Sequence, residues 1–511
     1  MTALSKLRSP HWLNWRAARW VALAAAIPAL WACNNRSLEA PIPSPQQTNN
    51  DLFQQQINRK IDILFMVDNS SSMMPLQNKL IQQFPSFTNV LKGPAGGAGL
   101  PDLHLAVISS SMGAGQEQGI AQCPVGGDHG QFQSAPLYAP ACAKASLMAG
   151  QTFISNIGGM ANYTGDISDV FSCIALLGEG GCGFEHQFAS TLRALGADGA
   201  AAPPSNNGFL RADAYLAVIL ITNEDDCSAP PTTMLFNQNS QLVSDPLGPL
   251  QSYRCNEFGH LCKGAKPPRL SMAGQMANLT GTCVSAEDGI ELRVADVVTS
   301  LKKVKTNPAN ILVAAIAGPP APYIVGTTPP TLDDPAGAWP VIEHSCTQAD
   351  GTYGDPAVRI NQFVSAFQGN GIFETICNDN FSQALQGIAD LIGKKIGAPC
   401  VNGNILDTKD APWTAADTSP PDCTVIDHAE NDQSSMVVDT PVPQCANNST
   451  TGATTRCWAL STDAMNCPGA HTVVFGGAAV ATTTSLNSSV SCAVRACPPA
   501  GSVPNPPAGC Q

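Results

Sequence analysis

Apolar runs separated by amphipathic segments dominate the chain between about residues 59 and 397. Runs rich in β-branched residues predict strands at 61–67, 103–110, 214–222, 310–318 and 372–377, the last being the least apolar. The central runs are apolar on both faces, which is typical of parallel strands that helices cover on each side.

Between these runs lie segments whose apolar residues recur every three or four positions, the spacing of an amphipathic helix. They are residues 74–93, 184–196, 287–305 and 378–395. Pro75 suits a first helical turn, and Gly196 suits a helix C-cap. Strands that alternate with helices predict an α/β fold with a doubly wound, mostly parallel, Rossmann-like sheet, and such sheets bind ligands at the carboxyl ends of their strands.

After Ala398 the apolar runs shorten, the helical spacing ends and cysteines become frequent. Eight of the 19 cysteines follow this point, and ten lie between residues 59 and 397. Their connectivity stays open, because eight cysteines alone allow 105 pairings. Since both numbers are even, we expect two domains that each close their own disulfides: an α/β domain over 59–397 and a small Cys-rich β-type domain over 398–511.

Residues 1–32 are predicted to be a targeting signal. Four basic residues and no acid precede the run VALAAAIPALWAC, which is too short for a comfortable transmembrane helix. Its end, Leu30 to Cys33, resembles a bacterial lipoprotein box, which implies cleavage before Cys33 and a lipid on that cysteine. An ordinary cleaved signal is the alternative. Residues 33–58, rich in Asn, Gln, Pro and Ser, indicate a flexible tether.

The composition and the absence of catalytic motifs disfavour nucleic-acid binding and enzymatic catalysis as functions. The formal net charge is −13, which disfavours nucleic acid as a partner, and 44% hydrophobic with 13% charged residues is typical of a globular chain. The sequence contains no GxSxG, HExxH or P-loop motif, and its eight histidines are scattered, so we expect no enzyme. We expect a protein of the bacterial cell envelope, at the outer membrane or cell surface, that contacts the membrane only through its lipid anchor.

The first strand ends in an unusual way. ILFMVDNSSSM, residues 63–73, runs from apolar residues directly into Asp68, and Ser70 and Ser72 follow at alternate positions. A carboxylate held partly out of water is unfavourable unless something compensates for its charge, and a cation does so. Because only hard oxygen ligands are present, the stretch favours Mg²⁺, Mn²⁺ or Ca²⁺ over zinc or copper.

This stretch resembles the start of the von Willebrand factor type A domain, whose metal-ion-dependent adhesion site (MIDAS) opens with DxSxS after an apolar first strand. Residues 68–72 match every fixed position of that motif. The resemblance covers residues 59–397 and implies the same doubly wound sheet, lengthened by cysteine-bearing insertions. The whole chain is similar to bacterial surface lipoproteins that combine a type A domain with a Cys-rich tail.

Two further loops of the family's site match in part. Where the family has a threonine this chain has Cys182, and Glu185 is the nearest replacement ligand; a solvated glutamate in a first helical turn is the alternative. Where the family has an aspartate, LITNEDDCS has Asn223, and Asp225 is a candidate among the acids that follow; a hydrated acidic loop is the alternative. The resemblance thus implies a cation held by Asp68, Ser70, Ser72, Glu185, Asn223 and Asp225.

Two functions are predicted. In the family the ion keeps one coordination position open for an acidic group of a partner. This implies a lipid-anchored binding protein that uses Mg²⁺, or Ca²⁺ or Mn²⁺, to capture a protein or other surface ligand. The alternative is a structural envelope lipoprotein with a vestigial metal site, which Cys182 and Asn223 favour. A metal-dependent hydrolase is disfavoured, because no positioned base lies near DxSxS in the sequence.

Overall fold

The computed structural model describes the chain from residue 60 onward, in segments. They are residues 60–92, 100–136, 145–329, 338–396, 400–401, 404–409, 411–414, 417, 419–430, 437–462, 471–477 and 486–495. The predicted signal peptide, the predicted lipidation site Cys33 and the predicted tether lie outside these residues. Within the described segments, every helix is too short or too polar to cross a bilayer.

The helices are α1 (Met74–Leu91), α2 (Ile167–Ile174), α3 (Gln187–Leu195), α4 (Tyr253–Gly259), α5 (Val294–Lys302), α6 (Val358–Ser365) and α7 (Ser382–Ile396). The strands before residue 397 are β1 (Lys60–Val67), β2 (Asp102–Ser109), β3 (Ser146–Leu147), β4 (Ile154–Ile157), β5 (Met160–Ala161), β6 (Tyr163–Thr164), β7 (Tyr215–Ile221), β8 (His260–Cys262), β9 (Ala277–Asn278), β10 (Cys283–Ser285), β11 (Ile311–Ala317), β12 (Ile324–Thr328), β13 (Trp339–Ile342), β14 (Cys346–Thr347), β15 (Tyr353–Gly354) and β16 (Gly371–Thr375). The later strands are β17 (Cys400–Val401), β18 (Asn404–Ile405), β19 (Cys423–Glu430), β20 (Val437–Val442), β21 (Cys457–Thr462), β22 (His471–Gly476), β23 (Leu486–Cys492) and β24 (Val494–Arg495).

A mixed seven-stranded sheet forms the centre of an α/β core. The five strands predicted from the sequence, β1, β2, β7, β11 and β16, are parallel and lie in the order β16-β11-β7-β1-β2. β4 and β5 continue the sheet beyond β2 as an antiparallel edge. The sequence did not predict this edge, because both strands are short, β4 is only partly buried and β5 is largely exposed.

Helices cover both faces of the sheet, since alternate residues of each strand point to opposite sides. On one face Phe65 of β1 packs with Phe84 and Phe87 of α1 and with Phe171 of α2, and α7 completes the layer. On the other face Leu64 belongs to a second apolar cluster, which includes residues of α3, α5 and α6. This two-sided burial explains why the central strands are apolar throughout.

The helix predicted over residues 287–305 is shorter than expected, because α5 begins only at Val294. Three acids of the predicted segment, Glu287, Asp288 and Glu291, precede the helix, and Glu291 is buried. The other helix predictions agree more closely. Pro75 lies in the first turn of α1, and Gly196 ends α3 in the left-handed conformation with a φ of 66°.

Six disulfides join described cysteines: Cys123–Cys182, Cys227–Cys255, Cys262–Cys283, Cys346–Cys377, Cys423–Cys492 and Cys445–Cys457. Four precede residue 397 and two follow it, so each of the six lies within one of the two predicted domains. After residue 397 the described residues form short antiparallel sheets around a separate apolar cluster that includes Trp413 and Trp458. The β-type character predicted for this region is therefore present.

Candidate cation site at the carboxyl end of the sheet

The register of three neighbouring strands brings Asp68 against two hydroxyl groups. Val67, the last residue of β1, pairs with Ser109 at the end of β2 and with Ile221 at the end of β7. The next residue of each strand is therefore Asp68, Ser110 and Thr222. The Ser110 hydroxyl donates to Asp68 Oδ1 at 3.1 Å, and the Thr222 hydroxyl donates to Asp68 Oδ2 at 2.7 Å.

The Asp68 carboxylate is fully buried. Burial raises its pKa, and hydrogen bonds from Thr222, the Ser70 backbone and Ser110 offset part of the rise. The Ser70 N–H donates to Asp68 Oδ1 at 2.8 Å, which bends the chain back over the carboxylate. All three of these donors are neutral, so they orient the carboxylate without neutralising its charge.

The loop that carries Glu185 is held directly against the DNSSS segment. The side chain of Gln77 donates to the carbonyl oxygens of Asp68 and Gly178 at 2.8 and 2.9 Å. The Gly181 N–H donates to the Asn69 carbonyl at 2.8 Å, and a Cβ at Gly181 would come within 2.2 Å of the Asn69 side chain. Only glycine permits this close approach, which explains the glycine at position 181.

Four buried oxygens in this region have no hydrogen-bond partner among the described residues: Asn69 Oδ1, Ser70 Oγ, Glu185 Oε1 and Gln187 Oε1. Two of them belong to predicted ligands, Ser70 and Glu185, which are 3% and 2% exposed, and the Ser70 hydroxyl lies near enough to Asp68 to lower the pKa of that carboxyl without meeting hydrogen-bond geometry. Buried polar atoms are rarely left in this state, so each needs an explanation. Ser72 is half-buried, and its hydroxyl lies 3.2 Å from Asn223 Oδ1. An ion that accepts oxygen ligands would give the unpartnered atoms of Ser70 and Glu185 a partner.

Glu185 is not the solvated first-turn glutamate considered as an alternative. It precedes α3 and is buried, and burial followed by the nearby charges of Glu224 and Asp68 raises its pKa well above the usual range. Burial and the charges of Asp355 and Asp68 raise the pKa of Glu224 to about 8, and the two glutamate side chains share a hydrogen bond. The carboxyl groups of Asp68, Glu185 and Glu224 therefore lie close together. None of their pKa shifts is caused by a cationic side chain.

The carboxylate of Asp225 is bound by groups other than the predicted cation ligands. Its oxygens accept hydrogen bonds from the backbone N–H groups of Arg359 and Ile360 at 2.8 and 3.1 Å, at the start of α6. They also contact His260 Nε2 at 2.8 Å, and hydrogen bonding to His260 is the largest of the effects that hold the pKa of Asp225 low against its burial. In the acidic stretch, Glu224 rather than Asp225 is thus the residue whose pKa the Asp68 charge raises.

Asp226 has a similar structural role at a second helix. It accepts from the Phe188 N–H in the first turn of α3 at 2.9 Å and forms an ion pair of 3.0 Å with the fully buried Arg359. Since helix N-termini favour carboxylates, the two adjacent aspartates each stabilise one helix. The alternative of a hydrated acidic loop is therefore wrong for this pair, because both side chains are buried.

The donor set of the site is made of oxygens. It contains the carboxyl groups of Asp68, Glu185 and Glu224, the hydroxyls of Ser70 and Ser72, and the amide of Asn223. Such a set suits Mg²⁺, Mn²⁺ or Ca²⁺. Among described residues, the only three His, Cys, Asp or Glu ligand atoms that lie within 4.8 Å of one another belong to Cys227, Cys255 and Glu291, and a disulfide joins those two cysteines. A cation here would therefore depend on hydroxyl and amide oxygens as well as carboxylates.

A cleft of about 300 Å³ opens beside the site. Its lining includes Glu224, Tyr253, Glu343, His344, Tyr353 and Asp355. His344 Nδ1 lies 2.6 Å from Asp355 Oδ1, and its ring stacks on Tyr353 with centroids 3.6 Å apart. The Asp355 N–H donates to the Asn223 carbonyl at 2.7 Å, so this wall of the cleft is continuous with the end of β7.

Sequence reasoning missed several residues of the site. Ser110 and Thr222 could have been found, because aligning the ends of FMVD, VISS and ILIT places them beside Asp68. Glu224 was recognised only as one of several neighbouring acids. Tyr353 and Asp355 come from an insertion without a motif, and the sequence carried no signal that brings them to this edge.

No protein-family model matches the chain, and no curated protein matches it. Its structural neighbours include bacterial pilus adhesins. SpaC from Lactobacillus rhamnosus GG, in an open conformation, aligns at 14% identity over 87% of this chain and 40% of that one, with a TM-score of 0.27. RrgA from Streptococcus pneumoniae aligns at 10% identity over 85% of this chain and 56% of that one, with a TM-score of 0.26.

The chain thus spans only 40% of SpaC and 56% of RrgA. TM-scores this low do not establish a shared fold. The type A resemblance and the lipid anchor stay predictions.

Proposed function

We propose that this chain is a divalent-cation-dependent binding protein of the cell envelope. Residues 59–397 form a doubly wound type A domain, Cys33 carries the lipid anchor, and residues 398–511 form a separate Cys-rich domain. The cation is Mg²⁺, Ca²⁺ or Mn²⁺. Asp68, Ser70, Ser72, Glu185, Asn223 and Glu224 hold it, and an acidic group of a protein or other surface ligand is captured there.

The observation that carries this proposal is the pair of buried, unpartnered oxygens on Ser70 and Glu185, next to the buried Asp68 carboxylate. Several carboxyl groups without a cationic partner are unfavourable in a buried place, because each lacks both solvent and an opposite charge. A bound divalent ion would compensate for those charges and offer a position for a further carboxylate. The adjoining cleft provides the space for such a ligand.

A calorimetric titration of the purified full chain with Mn²⁺, Mg²⁺ and Ca²⁺ tests cation binding. We expect one saturable site, and at least about tenfold weaker binding in Asp68→Asn and in Glu185→Gln. Asp169→Asn is the matched control, since it removes one carboxylate from the exposed first turn of α2. Equal heats from the wild type and Asp68→Asn would refute the site.

The capture of an acidic group requires a second titration. N-acetyl-aspartate amide is the probe, added to the wild type with Mn²⁺ present and then with EDTA. We expect binding only with Mn²⁺, because the open coordination position belongs to the ion. Binding of equal strength in EDTA would contradict a metal-dependent capture.

A structural protein without a cation is the second candidate. Both oxygens of Asp68 already accept hydrogen bonds, and Glu185 and Glu224 share one, so protons can take the place of an ion. This candidate predicts the absence of a saturable Mn²⁺ site in the wild type. The same calorimetric titration therefore separates the two functions.

A further inference from the structure

Three contacts hold the hairpin β14–β15 at the carboxyl end of the sheet. A disulfide joins Cys346 to Cys377, just after β16. Lys79 of α1, the helix that follows DNSSS, contacts Asp350 at 2.9 Å. On the third side, a Cβ at Gly318, just after β11, would lie 2.0 Å from the Asp355 carbonyl oxygen, so the backbones there are in direct contact.

This anchoring places Tyr353 over the proposed ligands. The N–H of Asp355, two residues further along the chain, donates to the Asn223 carbonyl at 2.7 Å. Burial raises the pKa of the Tyr353 phenol, and the side chains of Ser72 and Asn223 are among the groups that affect it, so the hydroxyl lies near both. The ring is held from the other side by the stacked His344, which Asp355 in turn fixes. Tyr353 thus has one edge on the site and one face on the cleft.

We propose that Tyr353 is a positioning residue that closes the Ser72–Asn223 side of the cation site and leaves the cleft beside Glu224, Glu343 and His344 as the approach for the captured acid. This inference rests on the proposed function. It specifies the ligand: a carboxylate on a side chain that projects into a cleft of about 300 Å³, rather than one on a flat protein surface. The Tyr353 hydroxyl also orients the oxygens of Ser72 and Asn223, in the way that outer hydrogen bonds orient metal ligands.

The relaxation of water protons by bound Mn²⁺ reports how many exchanging water molecules the ion holds. This measurement therefore tests whether Tyr353 shields one side of the ion from water. We expect Tyr353→Ala to raise the relaxation per bound Mn²⁺, since water enters where the ring was. Tyr353→Phe keeps the ring and its stacking, so its relaxation should match the wild type while its Mn²⁺ dissociation constant rises about tenfold. Tyr163→Phe, a tyrosine on β6, is the control and should change neither quantity.

The approach through the cleft is tested with Val341→Trp, which fills the cleft from its lining. We expect Mn²⁺ affinity close to that of the wild type, which also shows that the variant is folded, together with loss of N-acetyl-aspartate amide binding.

The outcomes separate the two proposals. If the wild type binds no Mn²⁺, both fall. If it binds Mn²⁺ but Tyr353→Ala relaxes water like the wild type, or Val341→Trp still binds the probe, only the inference about Tyr353 and the cleft falls.

Discussion

Asp68 and Asp226 are both buried acids just beyond strand ends, yet the same substitution should affect them differently. An asparagine at position 68 can keep the bonds from Ser70 and Ser110 at its carbonyl oxygen and loses only the bond from Thr222. It also removes a buried charge that has only neutral donors around it. We therefore expect Asp68→Asn to change the free energy of unfolding in EDTA by less than about 1 kcal/mol.

Asp226→Asn should instead destabilise the protein by about 3 kcal/mol or more, because it leaves the buried Arg359 without one of its two carboxylate partners. Urea unfolding of both variants in EDTA measures the contrast. Comparable losses from the two substitutions would show that Asp68 is a structural acid and would weaken the case for a binding role.

The sequence reveals individual site residues only where they are contiguous or follow paired strands. Asp68, Ser70 and Ser72 form one motif, and strand register accounts for Ser110 and Thr222. The choice between Glu224 and Asp225 could not be made from the sequence. That choice depends on two helix N-termini: α3 binds Asp226 and α6 binds Asp225. Glu224 is the acid of this stretch that remains at the site.

At the scale of elements, disulfides fix the loops that carry the site. Cys182 lies three residues before Glu185 and pairs with Cys123, Cys227 lies three residues after Glu224 and pairs with Cys255, and the Cys346–Cys377 bridge holds the hairpin of Tyr353. The sequence predicted the five parallel strands because buried β-branched runs are distinctive. It did not predict these bridges, because loop cysteines can pair in many ways.

Removing the Cys123–Cys182 bridge should affect both stability and the site. The paired substitutions Cys123→Ser and Cys182→Ser release a loop of 59 residues, which the chain-entropy model associates with a loss of about 4 kcal/mol. Because Glu185 is then less firmly placed, we expect Mn²⁺ affinity to fall as well. Urea unfolding and Mn²⁺ calorimetry measure the two effects.

The matched control is the pair Cys423→Ser and Cys492→Ser, which removes a bridge after residue 397. Its Mn²⁺ affinity should equal that of the wild type. Equal weakening of Mn²⁺ binding by both pairs would show that the bridge near Glu185 has no special relation to the site.

At the scale of the whole molecule, the composition changes near residue 398, where the sequence predicts a boundary between two domains. The described residues on either side belong to different sheets and different apolar clusters, and each of the six disulfides lies on one side. The sequence predicted this division from cysteine number and helical spacing. It could not predict the internal arrangement of the second region, whose strands lack the long apolar runs of the parallel sheet.

Two independent domains should come apart when the backbone between them is cut. A protease recognition site inserted between residues 397 and 398 would allow cleavage of the full chain without denaturation. We expect the two fragments to separate on a non-reducing gel, because no disulfide would join them. The fragment that ends at residue 397 should keep the Mn²⁺ affinity of the intact chain, since every proposed ligand precedes that point. Fragments that stay joined until a reductant is added would disprove the domain division, and loss of Mn²⁺ binding on cleavage would show that the Cys-rich region supports the site.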